Sequence, residues 1–354
     1  MGSAGHRNDS VFSPLSFVRH FNFAIIRSMM TPASARNERR HRRPVHRGLV
    51  VFGEFFRDLV FYNLPSAPRM GEEVKTASIA RFPGGGLATT ALVAASLGTP
   101  TKVITRVGRD ALTSPEWQTL LRSRISTAGC EIDAHLPTAI TVSAAFDGDR
   151  MMITHDAVNA KLEKLFQRSN VQKQLRTARH VHMACAMSPP QVWMRSIQRL
   201  RKRGLTVSAD LGWNPETFQS RGFASLLREF EFVFPNELEA RAMTGEKTVE
   251  RAAKKLAQWV RVPVVKLGAD GSLAVRNGEI LRELSIRVRS VDATGAGDAF
   301  NGGFLHGYLA GWTLEECLRA GNICGALATT GAGGSCALPT QKSLRKLMVQ
   351  HHRP

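Results

Sequence analysis

The run Asp292-Ala293-Thr294-Gly295-Ala296-Gly297-Asp298 sets two carboxylates at the ends of a stretch of small residues. Glycines at 295 and 297 let the backbone turn sharply and aim successive N–H groups at one spot. The next residues, Ala299-Phe300-Asn301-Gly302-Gly303-Phe304-Leu305, read as a closely packed helix. The spot is then also a helix N-terminus, which carries partial positive charge. An acid there would repel a bound phosphate. It makes chemical sense if Asp298 takes a proton from a hydroxyl while the N–H groups of Gly295, Ala296 and Gly297 stabilise charge on a transferring phosphoryl group. The plainer alternative is a glycine-rich strand-to-helix turn capped by Asp298.

Other residues have types and spacings that suit the same chemistry. Asp58 follows Gly53 by five positions, just past an apolar run; a carboxylate there can accept two hydroxyl hydrogen bonds or sit in a surface turn. Gly84-Gly85-Gly86 precedes a helical pattern, but no Gly-Lys-Ser/Thr follows and GxGxxG is absent, so neither a Walker loop nor a dinucleotide fingerprint is present. Asn236 and Glu239 have the spacing of a helix cap. Lys266 ends an apolar run before Gly268-Ala269-Asp270-Gly271, where it is either solvated or a point charge for phosphate. His155, His182 and His306 stand singly, without metal-ligand spacing, and read as structural.

In order, from about residue 48 to about residue 345, these motifs resemble the ribokinase-like (PfkB-type) carbohydrate kinases. The resemblance implies ATP-dependent phosphorylation of a hydroxyl on a small sugar, ketose or sugar acid, with Asp298 as general base. It implies that Asp58 holds sugar hydroxyls and that Gly84, Gly85 and Gly86 let the sugar approach the backbone. Thr89 and Thr90 stand where the family often has Asn, and they become the substrate-binding candidates. Asn236 and Glu239 match the Asn-x-x-Glu motif that organises Mg2+ and its waters near the ATP phosphates, an indirect mode that suits a cation reluctant to lose water. Lys266, Gly268 and Gly271 match the nucleotide-side strand and turn. Asn322 matches a position at the adenine pocket, and is otherwise a partly buried helix Asn. Asp292 and Thr294 match positions that in some members bind a monovalent cation, K+ being the candidate. The same resemblance admits a nucleoside kinase or a catalytically inactive ligand-binding member, and a homodimer paired through the lid.

The elements that must position these residues are legible as alternating patterns. Gly48–Phe52, ending at Gly53, reads as a buried strand. The broken pattern from 54 to 80 and the hairpin 138–146/149–154 around Asp147-Gly148 read as a small β-sheet lid, with lid strands falling within 54–80 and 138–155. Helices are expected from Leu87 to Leu97 and from Pro115 to about Ala128, with a strand over Thr101–Val107. Strands at 179–184, 205–210, 231–234, 262–267 and 272–276 alternate with helices, and Thr313-Leu314-Glu315-Glu316 caps a helix running to about Thr330. The expected fold is α/β: a doubly wound, mostly parallel sheet flanked by helices, with its lid, over residues 47–350.

The chain has 354 residues and a formal charge of +19, with 43% hydrophobic residues, enough for a sizeable core. Residues 1–46 are rich in Arg and hold only two acids, Asp9 and Glu38. They read as a disordered basic extension, an organelle-type presequence, or the product of a start placed upstream of Met29 or Met30. No basic run interleaves with aromatics, so nucleic acid is not expected as a partner. No stretch is long and apolar enough for a membrane span. Five scattered cysteines without a CxxC pair suggest neither disulfides nor zinc, and a cytoplasmic setting is expected.

Overall fold

The computed structural model describes residues 48–67, 69–146, 149–331 and 333–351. The N-terminal extension and the Asp147-Gly148 turn lie outside them. The central sheet has eight strands, in the order Glu279–Glu283, Ser272–Arg276, Val262–Lys266, Phe232–Val233, Thr206–Asp210, His180–Ala184, Leu49–Gly53, Thr101–Ile104. The first two are antiparallel additions; the remaining pairs are parallel. Both faces are covered by helices, which is why Leu49-Val50-Val51-Phe52 is apolar at every position. Val50 and Phe52 pack with Trp193 and Ile197 on one side; Leu49 and Val51 pack with Leu87 and Phe304 on the other.

The lid is a separate four-stranded sheet, Ser78–Gly84, Phe56–Tyr62, Ile140–Phe146 and Asp149–His155 in that order. Its two halves join through a parallel pairing of Phe56–Tyr62 with Ile140–Phe146, so the expected hairpin and the expected accessory strands form one sheet.

Three glycine-containing helices pack on one face of the sheet: Gly85–Ser96, Ala296–Ala310 and Leu314–Ala328. Gly302 and Gly303 lie where a Cβ would meet Thr90 O and Cys324 Sγ at 2.8 and 2.6 Å, so the helix Ala296–Ala310 can sit tightly between its neighbours only with glycine there. The Thr313–Glu316 capping box is present, with both side chains bonded to the partner backbone.

Several boundaries differ from the sequence reading. Thr101–Val107 is not one strand. It splits into Thr101–Ile104 in the central sheet and Arg106–Gly108, which pairs with Glu131–Asp133. The helix from Pro115 stops at Arg122, because Arg124 takes a left-handed conformation (φ 58°) that turns the chain out of the helix. The edge strand Glu279–Glu283 was not anticipated, because its polar ends break the apolar pattern.

Candidate active site

The parallel strands end together at one edge. Register sets Gly53 beside Ala184 and Ala184 beside Asp210, and a bridge sets Asn236 beside Lys266. Above this edge stands the N-terminus of the helix Ala296–Ala310, and against it the N-terminus of Gly85–Ser96. A cleft of about 360 Å³ lies there, lined by Glu54, Gly86, Asp210, Trp213 and Asp298 among others. This is the carboxyl edge of the strands, where open α/β sheets bind ligands.

Asp298 occupies the first turn of its helix. Its Oδ1 would be 2.8 Å from a Cβ at Gly86, so the carboxylate rests on the other helix's first turn. Burial, then the neighbouring Asp210, push its pKa up to about 7; Lys266 opposes this, and Glu239 and Asp58 add to it. Gly295 precedes it in a left-handed conformation (φ 72°) and sits against Gly334, where a Cβ would come 2.8 Å from that residue's Cα. The Ala296 N–H was expected in the anion hole, but it donates to Ala293 O at 3.2 Å to close the turn. Among the described residues, the N–H groups of Gly295 and Gly297 have no such backbone acceptor.

Lys266 is buried at the strand edge, its Nζ 2.6 Å from Asp210 Oδ2 and 3.1 Å from where a Cβ at Gly297 would be. Burial disfavours its charge, but Asp210, Asp298 and Glu239 outweigh that and hold the ammonium above its usual range. Asp58 lies on the lid strand with its carboxylate directly over Gly84, leaving no room for a side chain there. Burial first, and Glu116 second, push it up to about 6.

Asn236 and Glu239 form a reciprocal cap: Glu239 N donates to Asn236 Oδ1 and Asn236 N donates to Glu239 Oε2, each at 2.8 Å. Burial and Asp210 raise the Glu239 pKa, against Lys266 and the Asn236 N–H. Asp292 accepts from Thr294 N and Gly333 N, clasping the turn to the loop beyond.

Thr89 and Thr90 are placed differently from the expectation. Thr90 is fully buried and donates to Asp298 O at 3.1 Å; Thr89 is buried beneath Gly295. The Thr90 hydroxyl holds the backbone of the base from behind and Thr89 packs against its turn, because the helix begins at Gly85 and packs against Ala296–Ala310. Asn322 donates to Glu283 O and Leu284 O, and Gly271 leaves no space for a Cβ beside Glu283 O. With the turn Gly268–Asp270 between, these residues shape the segment at 283–284. His182 is buried against Ser208, and His306 bonds Thr99, consistent with structural histidines; His155 is exposed.

Sequence reasoning missed Asp210, Glu54, Trp213 and Asn301. Asp210 accepts from Lys266 and from Asn301 Nδ2 at 2.7 Å. Glu54 is pushed up to about 7 by burial and Asp156, against an N–H from Ala186. Trp213 is 63% exposed. No local pattern marked them: Asp210 ends its strand, Glu54 and Trp213 lie beyond strand ends, and Asn301 is inside a helix.

Residues 46–341 match the pfkB family carbohydrate kinases, and the chain belongs to that family. It is therefore a kinase, a phosphotransferase with an alcohol group as acceptor. It is 32% identical to a cytidine kinase of Thermococcus kodakarensis over 68% of this chain and 85% of that relative. It is 26% identical to a ribokinase of Arabidopsis thaliana over 85% of this chain and 80% of that one. The structure of Arabidopsis thaliana ribokinase complexed with ribose and ATP superposes with a TM-score of 0.73 at 25% identity, covering 85% of this chain and 98% of that chain. Among the described residues, no helix is long and apolar enough to cross a membrane.

Proposed function

We propose that this kinase transfers the γ-phosphoryl group of ATP to a hydroxyl of a small sugar-type acceptor, a sugar, ketose or sugar acid. One observation carries the reading: Asp298 stands in a cleft at a helix N-terminus, with the Gly295 and Gly297 N–H groups and the Lys266 ammonium beside it. Asp298 accepts the proton of the acceptor hydroxyl. The N–H groups and Lys266 stabilise charge where the phosphoryl group passes. Asp58 and the backbone at Gly84–Gly86 orient the acceptor. Positioning and charge stabilisation then do most of the catalysis, as phosphoryl transfer requires.

The donor set fits magnesium held through water. Among the described residues no group of three or more His, Cys, Asp or Glu could ligate a metal directly, whereas the Asn236–Glu239 pair offers oxygens beside Lys266. Bound magnesium supplies charge neutralisation between the ATP phosphates. Asp292 and Thr294 are the candidates for K+.

The lid also suits pairing of two copies. Its outer face carries the row Ile79, Phe61, Ala144, Met151 and the neighbouring pair Val142, Ile153; Ile79, Met151 and Ile153 are 55%, 47% and 74% exposed. The solution mass tests this.

A nucleoside acceptor is the second reading. The cytidine kinase relative favours it, as does the exposed ring of Trp213 lining the cleft that holds Asp298. The deciding experiment is kcat/KM for aldoses, ketoses, sugar acids and nucleosides at equal magnesium-ATP. Preference for a sugar-type acceptor, lost in Asp58→Ala, supports the first reading; preference for a nucleoside replaces it with the second.

A further inference from the structure

Asp210 is a buried carboxylate that the proton transfer itself does not use. It ends the strand Thr206–Asp210, yet its donors come from three places. Lys266 Nζ and Asn301 Nδ2 both reach Oδ2, at 2.6 and 2.7 Å, and Gly212 N reaches Oδ1 at 3.3 Å. Asn301 stands three residues after Asp298 on the same helix, hence on the same face. The Asn301 amide is spent on Asp210, while its Oδ1 is buried without a partner among the described residues. A side chain held in this way has been oriented to donate, at a cost. The result is a rigid link from the neighbouring strand end, through Asp210, to the helix that carries the base.

Lys266 is the cation among several acids: Asp210, Asp298 and Glu239 all favour its charge. It pairs with Asp210, Nζ to Oδ2 at 2.6 Å. An ammonium released from Asp210 would turn to Asp298, the buried carboxylate beside it, and neutralise the base.

We propose that Asp210, steadied by Asn301, is a positioning residue for phosphoryl transfer: it holds the Lys266 ammonium against the Gly297 turn and out of a direct ion pair with Asp298. The inference rests on Asp298 being the base. The groups that face Asp298 are Asp210 and Lys266 from the strand ends, Glu239 from the helix Glu237–Thr244, and Asp58 from the lid. Those that face Asp210 are Lys266, Asn301 and His182. Replacing Asp210 by Asn removes one negative neighbour of Asp298 and frees a positive one. Both changes favour ionised Asp298, so both move its titration to lower pH.

The test combines kinetics with carboxyl carbon NMR of Asp298 in the free protein. Asp210→Asn is expected to lower kcat about 100-fold. It should also shift both the Asp298 titration and the acid limb of kcat/KM to lower pH. Adding Lys266→Met to Asp210→Asn should return the Asp298 titration upward. Asn301→Ala, a milder change, should lower kcat about tenfold with a shift of the same sign; it serves where Asp210→Asn does not fold. A titration that stays in place in both single variants, with activity lost, makes Asp210 an ion-pair partner of the core only and overturns the proposal. If wild-type Asp298 does not titrate with the acid limb, the base assignment falls and this inference falls with it.

Discussion

The carboxylate of Asp298 rests on Gly86, so near that a Cβ there would lie 2.8 Å from Oδ1. Two helix N-termini meet at this contact, and the base is wedged between them. Gly86→Ala should therefore displace Asp298 while leaving the fold intact, because Ala is the better helix former. The expected result is a loss of about 100-fold in kcat with little change in melting temperature. A variant within threefold of wild type in kcat would show that the base has room to move.

A base whose pKa has been pushed up to about 7 is half protonated at neutral pH. Only the ionised form accepts a proton, so activity is present above that pKa and lost as pH falls through it. At pH 6 about a tenth of Asp298 is ionised. Asp58, pushed up to about 6, is by then half protonated, which weakens its contacts with acceptor hydroxyls. The predicted profile of kcat/KM for the acceptor rises from pH 5.5 to 8, with a steeper fall below about pH 6. A flat profile over that range contradicts both assignments.

Asn236 has two tasks that substitution can separate. As a cap it accepts from Glu239 N at 2.8 Å. Asn236→Ala should cost about 1 kcal/mol of stability and raise the magnesium requirement. Asn236→Asp is an equal cap, so stability should hold. If the Ala variant loses stability but keeps its magnesium dependence, Asn236 serves the helix alone.

The catalytic turn was legible because its chemistry is local. Glycines, an acid and a helix start within seven residues mark Asp298 without any tertiary information. Buried parallel strands such as Leu49–Gly53 were legible for a similar reason: both faces are covered, so the apolar run is continuous. Asp210 was not, because its importance comes from Lys266, 56 residues away, and Asn301, 91 residues away. Thr89 and Thr90 were placed in the substrate pocket because sequence position says how far along the helix they lie but not which face meets its neighbour. Glu54 and Trp213 gave no pattern, since a residue after a strand end is defined by the cleft it enters. The end of the helix at Arg122 was hidden for another reason: Arg124 adopts a left-handed backbone that nothing in its side chain requires.

Asp298→Asn is the most direct test of the central claim. The substitution keeps the shape of the side chain and removes its capacity to accept a proton. Acceptor turnover and nucleotide affinity would be measured on the same preparation, with folding checked by thermal melting. The account predicts a loss of about 10²–10⁴-fold in kcat, with ATP binding and melting temperature close to wild type. A variant that retains more than about a tenth of wild-type kcat contradicts it, because the loss would then fall short of what removal of a general base typically costs.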